Sequence, residues 1–306
     1  MRALIILMIL FFLRCAPDAP HKPTLPGSIT GDVSTLFGSK PLDGAEVQLF
    51  PNQLVDSTDD MGYFAFNLLL SGTYMITISK NQYVEKVETT YIDESENKTM
   101  KFELNGKPIV QDYSVYSIHS TNGFEQFKVI FALSLYDMDA FVADSVMAES
   151  NNEKLRLTYQ NGDTLSFYKK TLIYSDLTTV DTIIGIAFDF WVKDMGGTFS
   201  DTVSSELDRV IDKLPQIVYP VSGDSLSLGD TLKWSSPYLW YYTFVILKIW
   251  EIGSTIENPE WISDTLQITD STYVFNAQIK QGTYNWAVEI IDKLNNSSRA
   301  IAWFYH

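Results

Sequence analysis

Residues Lys40–Tyr83 read KPLDGAEVQLFPNQLVDSTDDMGYFAFNLLLSGTYMITISKNQY. Apolar and polar residues alternate in short runs, stop at glycine and aspartate, and resume. A period of two means each run has one face toward a core and one toward water, as in a β-sandwich. Ala45, Val47 and Leu49 share a face, as do Phe64, Phe66 and Leu68, and then Tyr74, Ile76 and Ile78. Asp59-Asp60-Met61-Gly62 reads as the turn between two of these strands, with Gly62 free to take a positive φ. Outside this stretch Ile29, Gly31, Val33 and Thr35 lead in, and Val87–Tyr91 and Met100–Leu104 close the set. About seven short strands in residues 28–106 predict one sandwich.

The same grammar continues, so the expected fold class is all-β, with three β-sandwich domains in series at 28–106, 107–213 and 214–306. The length of 306 residues accommodates three cores of that size. Lys and Arg number 22 against 38 Asp and Glu, a net charge of −16. By segment the balance is 5 against 12, 9 against 16 and 5 against 9, so no basic face exists to displace counterions, and no nucleic-acid partner is expected. Cys15 is the one cysteine, so each module must be held by its core without a disulfide.

Met1–Leu13 carries Arg2 and an apolar run from Ala3, too short for a bilayer span and suited to a signal peptide. The cysteine directly after it resembles a bacterial lipoprotein signal, in which that residue is lipidated and becomes the new amino terminus. Arg14 departs from the small residue usual there. A plain signal peptide and an uncleaved anchor are the alternatives. Residues 16–27, with prolines at 17, 20, 23 and 26, read as a stiff tether of about 35–40 Å. The expected localisation is the cell envelope, as an outer-membrane or surface lipoprotein meeting the membrane through a lipid on Cys15.

The ordered motifs Gly27–Val33 (G-x-I-x-G-x-V), Pro41–Val47 (P-L-x-G-A-x-V), Thr58–Phe66 (T-D-x-x-G-x-F-x-F) and Gly72–Ile78 (G-T-Y-x-I-x-I), with a tyrosine before Val84, resemble the carboxypeptidase regulatory-like domain. The resemblance implies a transthyretin-like sandwich acting as spacer or binding unit, and no peptidase. It departs at Gln82, where the family has glycine, so a differently shaped loop is expected there. His21, His119 and His306 are the only histidines and none has a glutamate three or four positions away, so no zinc peptidase site is written. Asp59 and Asp60 lack the spacing of a calcium loop and read as a solvated turn.

In the second segment Phe127–Leu135 and Ile184–Val192 alternate without a break, and Asn122-Gly123 and Asn161-Gly162 are hairpin turns, the second joining Leu155–Tyr159 to Thr164–Phe167. No helical periodicity is found. Val192–Thr202 (VKDMGGTFSDT) resembles the closing strands of bacterial immunoglobulin-like domains, where an aspartate and glycine turn joins the last two strands. Asp137 and Asp139 flank Met138 near a strand end and, with no third ligand nearby in sequence, read as a charged loop.

In the third segment Pro220–Asp224, Thr231–Trp234, the strand Tyr242–Ile252 and Gly282–Asp292 resemble a fibronectin type III domain, which implies Trp234 in the core and a corner hydrogen bond from Tyr284. Trp240, Tyr241, Trp261 and Trp303 are candidates to stack on sugar, the cluster Tyr238-Leu239-Trp240-Tyr241-Tyr242 above all. Core or interface packing is the competing account of these rings. No G-x-S-x-G serine, histidine cluster or phosphate-cradling glycine loop is present, so no enzyme, metal or cofactor is expected. What remains is a non-catalytic scaffold or binding protein for a protein or glycan ligand, with a carbohydrate-binding accessory protein as the alternative.

Overall fold

A computed structural model describes residues 24–121, 124–139, 143–151, 153–160, 166–276 and 278–306. The chain is all-β and divides into two compact units, one reaching Leu104 without Leu36–Gly38 and the other made of Leu36–Gly38 and Asn105–His306. The expected signal segment, Cys15 and most of the expected tether lie outside the described residues, as do the two dipeptides expected to form hairpin turns.

In the first unit β1 (Gly27–Thr35), β2 (Glu46–Phe50), β3 (Leu54–Ser57), β4 (Tyr63–Leu69), β5 (Gly72–Ser79), β6 (Lys86–Ile92) and β7 (Asn97–Leu104) supply the seven strands. One sheet is ordered β4-β1-β7 and the other β3-β2-β5-β6, and β1 runs antiparallel to β4 but parallel to β7. The expected inward residues Ile29, Val33, Val47, Leu49, Phe64, Phe66, Ile76, Ile78 and Phe102 share one core. Two readings change: Leu68 bulges out of β4 at φ 59 and leaves Leu69 to face inward, and on β6 Val87, Thr89 and Tyr91 face out while Thr90 and Ile92 are buried. Gly31 is required by close packing, because a Cβ there would fall 2.7 Å from the Phe64 ring. The turn into β4 forms as read. Gly62 has φ 77, and the Asp59 carboxylate accepts from Met61 N at 3.0 Å and Tyr63 N at 2.8 Å.

The second unit opens with β8 (Ile109–Thr121), β9 (Glu125–Tyr136), β10 (Ala143–Glu149), β11 (Lys154–Arg156), β12 (Thr158–Gln160) and β13 (Ser166–Tyr174). After these come α1 (Leu177–Asp181), β14 (Ala187–Asp194) and β15 (Val203–Glu206). Phe131, Leu133, Val146, Phe188, Phe190 and Val192 centre its first core. Three local readings change. The expected strand from Leu155 to Tyr159 is two strands, β11 pairing with β10 and β12 with β13, because the chain crosses between sheets at buried Leu157. The run from Ile184 becomes strand only at Ala187, since Gly185 turns at φ 75. One helical turn, α1, forms where no helix was expected; the Asp176 side chain accepts Thr179 N at 2.9 Å and caps it.

The chain continues through β16 (Gln216–Tyr219), β17 (Asp224–Ser225), β18 (Thr231–Ser235), β19 (Thr243–Glu251), β20 (Trp261–Ile262), β21 (Leu266–Gln267), β22 (Thr272–Val274), β23 (Thr283–Asp292) and β24 (Ser297–Tyr305). Leu232, Trp234, Leu247, Trp286, Val288 and Phe304 centre a separate core. Trp234 is buried and Tyr284 donates its hydroxyl to Lys280 O at 3.1 Å, as the fibronectin-like pattern implies.

The two cores of this unit share a sheet. Ten strands lie in one sheet with the path β12-β13-β9-β8-β24-β23-β19-β20, β17 and β21 branching from it. The join is a parallel pairing of β8 with β24, from Ile118 opposite Ser297 to Thr121 opposite Ala300. Residues 107–213 and 214–306 were expected to be separate modules in series, yet here their backbones are hydrogen-bonded edge to edge. Buried polar groups hold the seam. Asn296 Oδ1 accepts Ser117 N at 2.8 Å, and His119 sets one ring nitrogen 3.1 Å from Ile211 O and the other 2.8 Å from Glu125.

Candidate functional site

Between β18 and β19 the alternation persists through a loop. Leu239 and Tyr241 turn inward onto the third core, so Tyr238, Trp240 and Tyr242 must turn out. They are 84%, 83% and 59% exposed, whereas Trp234, Trp250 and Trp286 of the same half are buried. Trp240 stands edge-on to Tyr241, with ring centroids 5.2 Å apart and planes at 89°. Tyr241 is itself braced by the Arg209 guanidinium 4.8 Å from its ring, and Arg209 is anchored by Asp208, with Nε donating at 2.7 Å. Burial first, and then the Asp292 and Asp212 carboxylates, push the Tyr241 hydroxyl above its ordinary value against the pull of Arg209, so it remains a donor at neutral pH. Lys293 places its ammonium 5.0 Å from the Tyr242 ring.

Asp208 and Lys293 also line a groove of about 640 Å³ with Asp112, Tyr113, Ser204 and Glu206. Lys293, over the Tyr242 ring, and Asp208, bonded to the Arg209 that braces Tyr241, therefore link the exposed rings to a groove walled by carboxylates, hydroxyls and an ammonium. This combination suits a ligand with apolar faces and many hydroxyls, since rings cover the C–H faces and ionised groups bond the hydroxyls.

Of the residues named from sequence, Trp240 and Tyr241 meet here. Trp261 does not. It is partly buried against Tyr273 at 5.4 Å and sits opposite Ile249 at the far end of β19, about 20 Å along the strand from the loop. Trp303 lies toward the end of β24, opposite Asn285, and packs edge-on to Tyr305. Arg209, Asp208, Lys293 and Tyr113 were not anticipated, because only the shared sheet brings residues 112–113 and 208–209 beside the β23–β24 turn.

Asp137 and Asp139 are the second departure. They are 9% and 1% exposed, not a solvated loop, and Asn105 and Asp194 from distant parts of the chain join them. Burial first, then the Asp139 side chain and the Asp194 charge, push the Asp137 carboxyl up to about 7. Among the described residues no three His, Cys, Asp or Glu side chains are grouped to hold an ion between them. No described helix is long and apolar enough to cross a membrane.

No protein-family model matches the chain, and no curated protein matches it. Among solved structures, the major pilin subunit BcpA of Bacillus cereus is similar over 89% of this chain and 91% of its own, at 10% identity and a TM-score of 0.34. The FN1–FN3 domains of chicken CNTN1 are similar over 92% of this chain and 99% of their own, at 12% identity and a TM-score of 0.28. A DUF3823 family protein from Bacteroides ovatus aligns with 60% of this chain and 100% of its own, at 14% identity and a TM-score of 0.24. Scores this low leave the fold assignment resting on the strand pairing and cores described above.

Proposed function

We propose that the chain is a non-catalytic, exported binding protein of the bacterial cell envelope whose second unit holds a glycan on the Tyr238–Tyr242 loop. The observation that carries this reading is the outward exposure of Tyr238, Trp240 and Tyr242 near a polar groove, in a half where Trp234, Trp250 and Trp286 are buried. An exposed apolar surface of this kind costs solubility unless something occupies it. The first unit, with its resemblance to the carboxypeptidase regulatory-like domain, serves as spacer, and a lipid on Cys15 with the proline-rich tether attaches the whole to a membrane. The charge of −16 argues against a nucleic-acid ligand.

The test is a glycan array probed with the full chain and with Tyr238→Ala/Trp240→Ala. Because both rings are exposed, the double variant keeps its thermal transition, and binding to any hit weakens at least tenfold, about 1.4 kcal/mol. Hits that survive the double substitution, or an array without hits, would remove the glycan reading. Since Asp112, Glu206 and Asp208 line the groove, each hit is also assayed for reducing ends. Turnover there would overturn the non-catalytic half of the proposal.

A further inference from the structure

The turn after β9 folds inward on two short side-chain contacts. Asp139 Oδ2 accepts Gly106 N at 2.9 Å, and Asp137 Oδ1 accepts Asp139 N at 3.2 Å. The remaining oxygens, Asp137 Oδ2 and Asp139 Oδ1, are buried and have no hydrogen-bond partner, and Asn105 Oδ1 shares that condition. Asn105 is itself 8% exposed. Its orientation is set by its nitrogen, which donates to Asp194 Oδ2 and to Thr198 Oγ1, both at 2.7 Å, so the oxygen has to face the other way. Asp194 is not available as a further donor to a ligand, because its Oδ1 accepts Thr198 N at 2.7 Å.

Among the described residues no Lys or Arg makes an ion pair with Asp137, Asp139 or Asp194. Buried acceptors of this kind are rare without a partner, and these belong to adjoining segments, since Asn105 precedes Gly106, whose N–H the Asp139 carboxylate holds. Two glycines leave room beside these side chains. A Cβ on Gly106 would lie 2.5 Å from Asp137 Oδ1 and 2.9 Å from Asp139 Oδ1, and one on Gly196 would lie 2.6 Å from Asn105 Oδ1.

We propose that Asp137, Asp139 and the side-chain oxygen of Asn105 bind a calcium ion. All three donors are hard oxygens with no imidazole or thiolate among them, which disfavours zinc and copper. Calcium accepts such mixed carboxylate and amide sets and completes its shell with backbone carbonyls and water, whereas magnesium demands a tighter octahedron. The ion ties the end of β9 to the Asn105-Gly106 segment and, through the Asn105 amide, to the turn that follows β14. With only two charged donors the affinity falls in the weak range, on the order of 10⁻⁴–10⁻³ M.

The test is calorimetric melting of the full chain with and without 10 mM calcium chloride (about tenfold over the weaker limit), repeated on Asp137→Asn and Asp139→Asn. The wild-type transition of the second unit is expected to rise by about 3–6 °C, and each variant to lose that rise. Both substitutions keep an oxygen for the backbone donors. Without calcium each variant therefore melts at or above the wild-type temperature, since one of two adjacent like charges is gone. Absence of a calcium response in the wild type would overturn the proposal and leave the two carboxyls sharing a proton. A response retained in both variants, or matched by magnesium chloride, would mark screening of the acidic surface and overturn it equally.

Discussion

Gln82 has φ 67, a left-handed backbone that an L side chain enters at a cost of about 1–2 kcal/mol. Its side chain is exposed, so nothing in the packing compensates. The neighbour that matters is Tyr83, buried in the first core, and the turn at Gln82 is what aims it inward. Gln82→Gly should therefore stabilise the first unit. Glycine loses more chain entropy on folding, which offsets part of the relief, and the net gain is about 0.5–1 kcal/mol. Thermal melting reads this as a rise of several degrees for a unit of this size; a fall would mean that the Gln82 side chain contributes a contact outweighing the strain. The unusual feature at this position is visible in the sequence, as a glutamine where the resembled family has glycine. What could not be read was that the backbone there takes a left-handed turn and the strain falls on one residue.

At the scale of elements, β1, β2, β4, β5 and β7 of the first unit were readable because each has one apolar face and short, marked turns, whereas β6 carries Val87 and Tyr91 on its exposed face and so misleads about which side is buried. The second unit obeys the same period, but period reports only which face is buried and never which edges pair. On β8 the inward positions are Val115, Ser117 and His119, all buried, and the two polar ones mark the side where the strand meets β24 and the 209–213 segment. A serine and a histidine on a core face are the trace of that seam in the sequence, and its meaning depends on a partner 179 residues away. Asn296 is the sharpest probe of the seam. It is buried, accepts from Ser117 N and Oγ, and donates to Asp292 Oδ2 at 3.1 Å. Asn296→Ala leaves a buried N–H and part of a buried carboxylate without partners, at a cost of about 2–3 kcal/mol. Because β8 and β24 belong to different cores, amide exchange should quicken in both β9 and β23 in this variant. Faster exchange confined to one half would show that the two cores open independently despite the shared sheet.

For the whole molecule, the candidate site was half readable. Tyr238, Trp240 and Tyr242 announce themselves as rings in a loop, while the groove beside them exists only because β8, the 204–208 segment and the β23–β24 turn converge in the second unit. Likewise Asp137 and Asp139 looked solvated because their companions, Asn105 and Asp194, lie 32 and 55 positions from them in the chain at the nearest, out of reach of any local pattern. The amino-terminal end poses the complementary case, where chemistry is written locally. An apolar run from Ala3 to Leu13 is followed by Arg14 and Cys15, and four prolines come within the next eleven residues. If Cys15 carries the lipid, the chain fractionates with membranes, because acyl chains contribute about 0.8 kcal/mol per buried CH₂ and more than one chain makes attachment stable. Cys15→Ser then moves it to the soluble fraction, with the net charge of −16 opposing any residual adhesion to anionic headgroups. Intact mass distinguishes the remaining arrangements. A soluble wild type lacking the first residues indicates a plain signal peptide. A membrane-bound Cys15→Ser variant that retains Met1–Arg14 indicates an uncleaved anchor, and either result removes the lipid from the account.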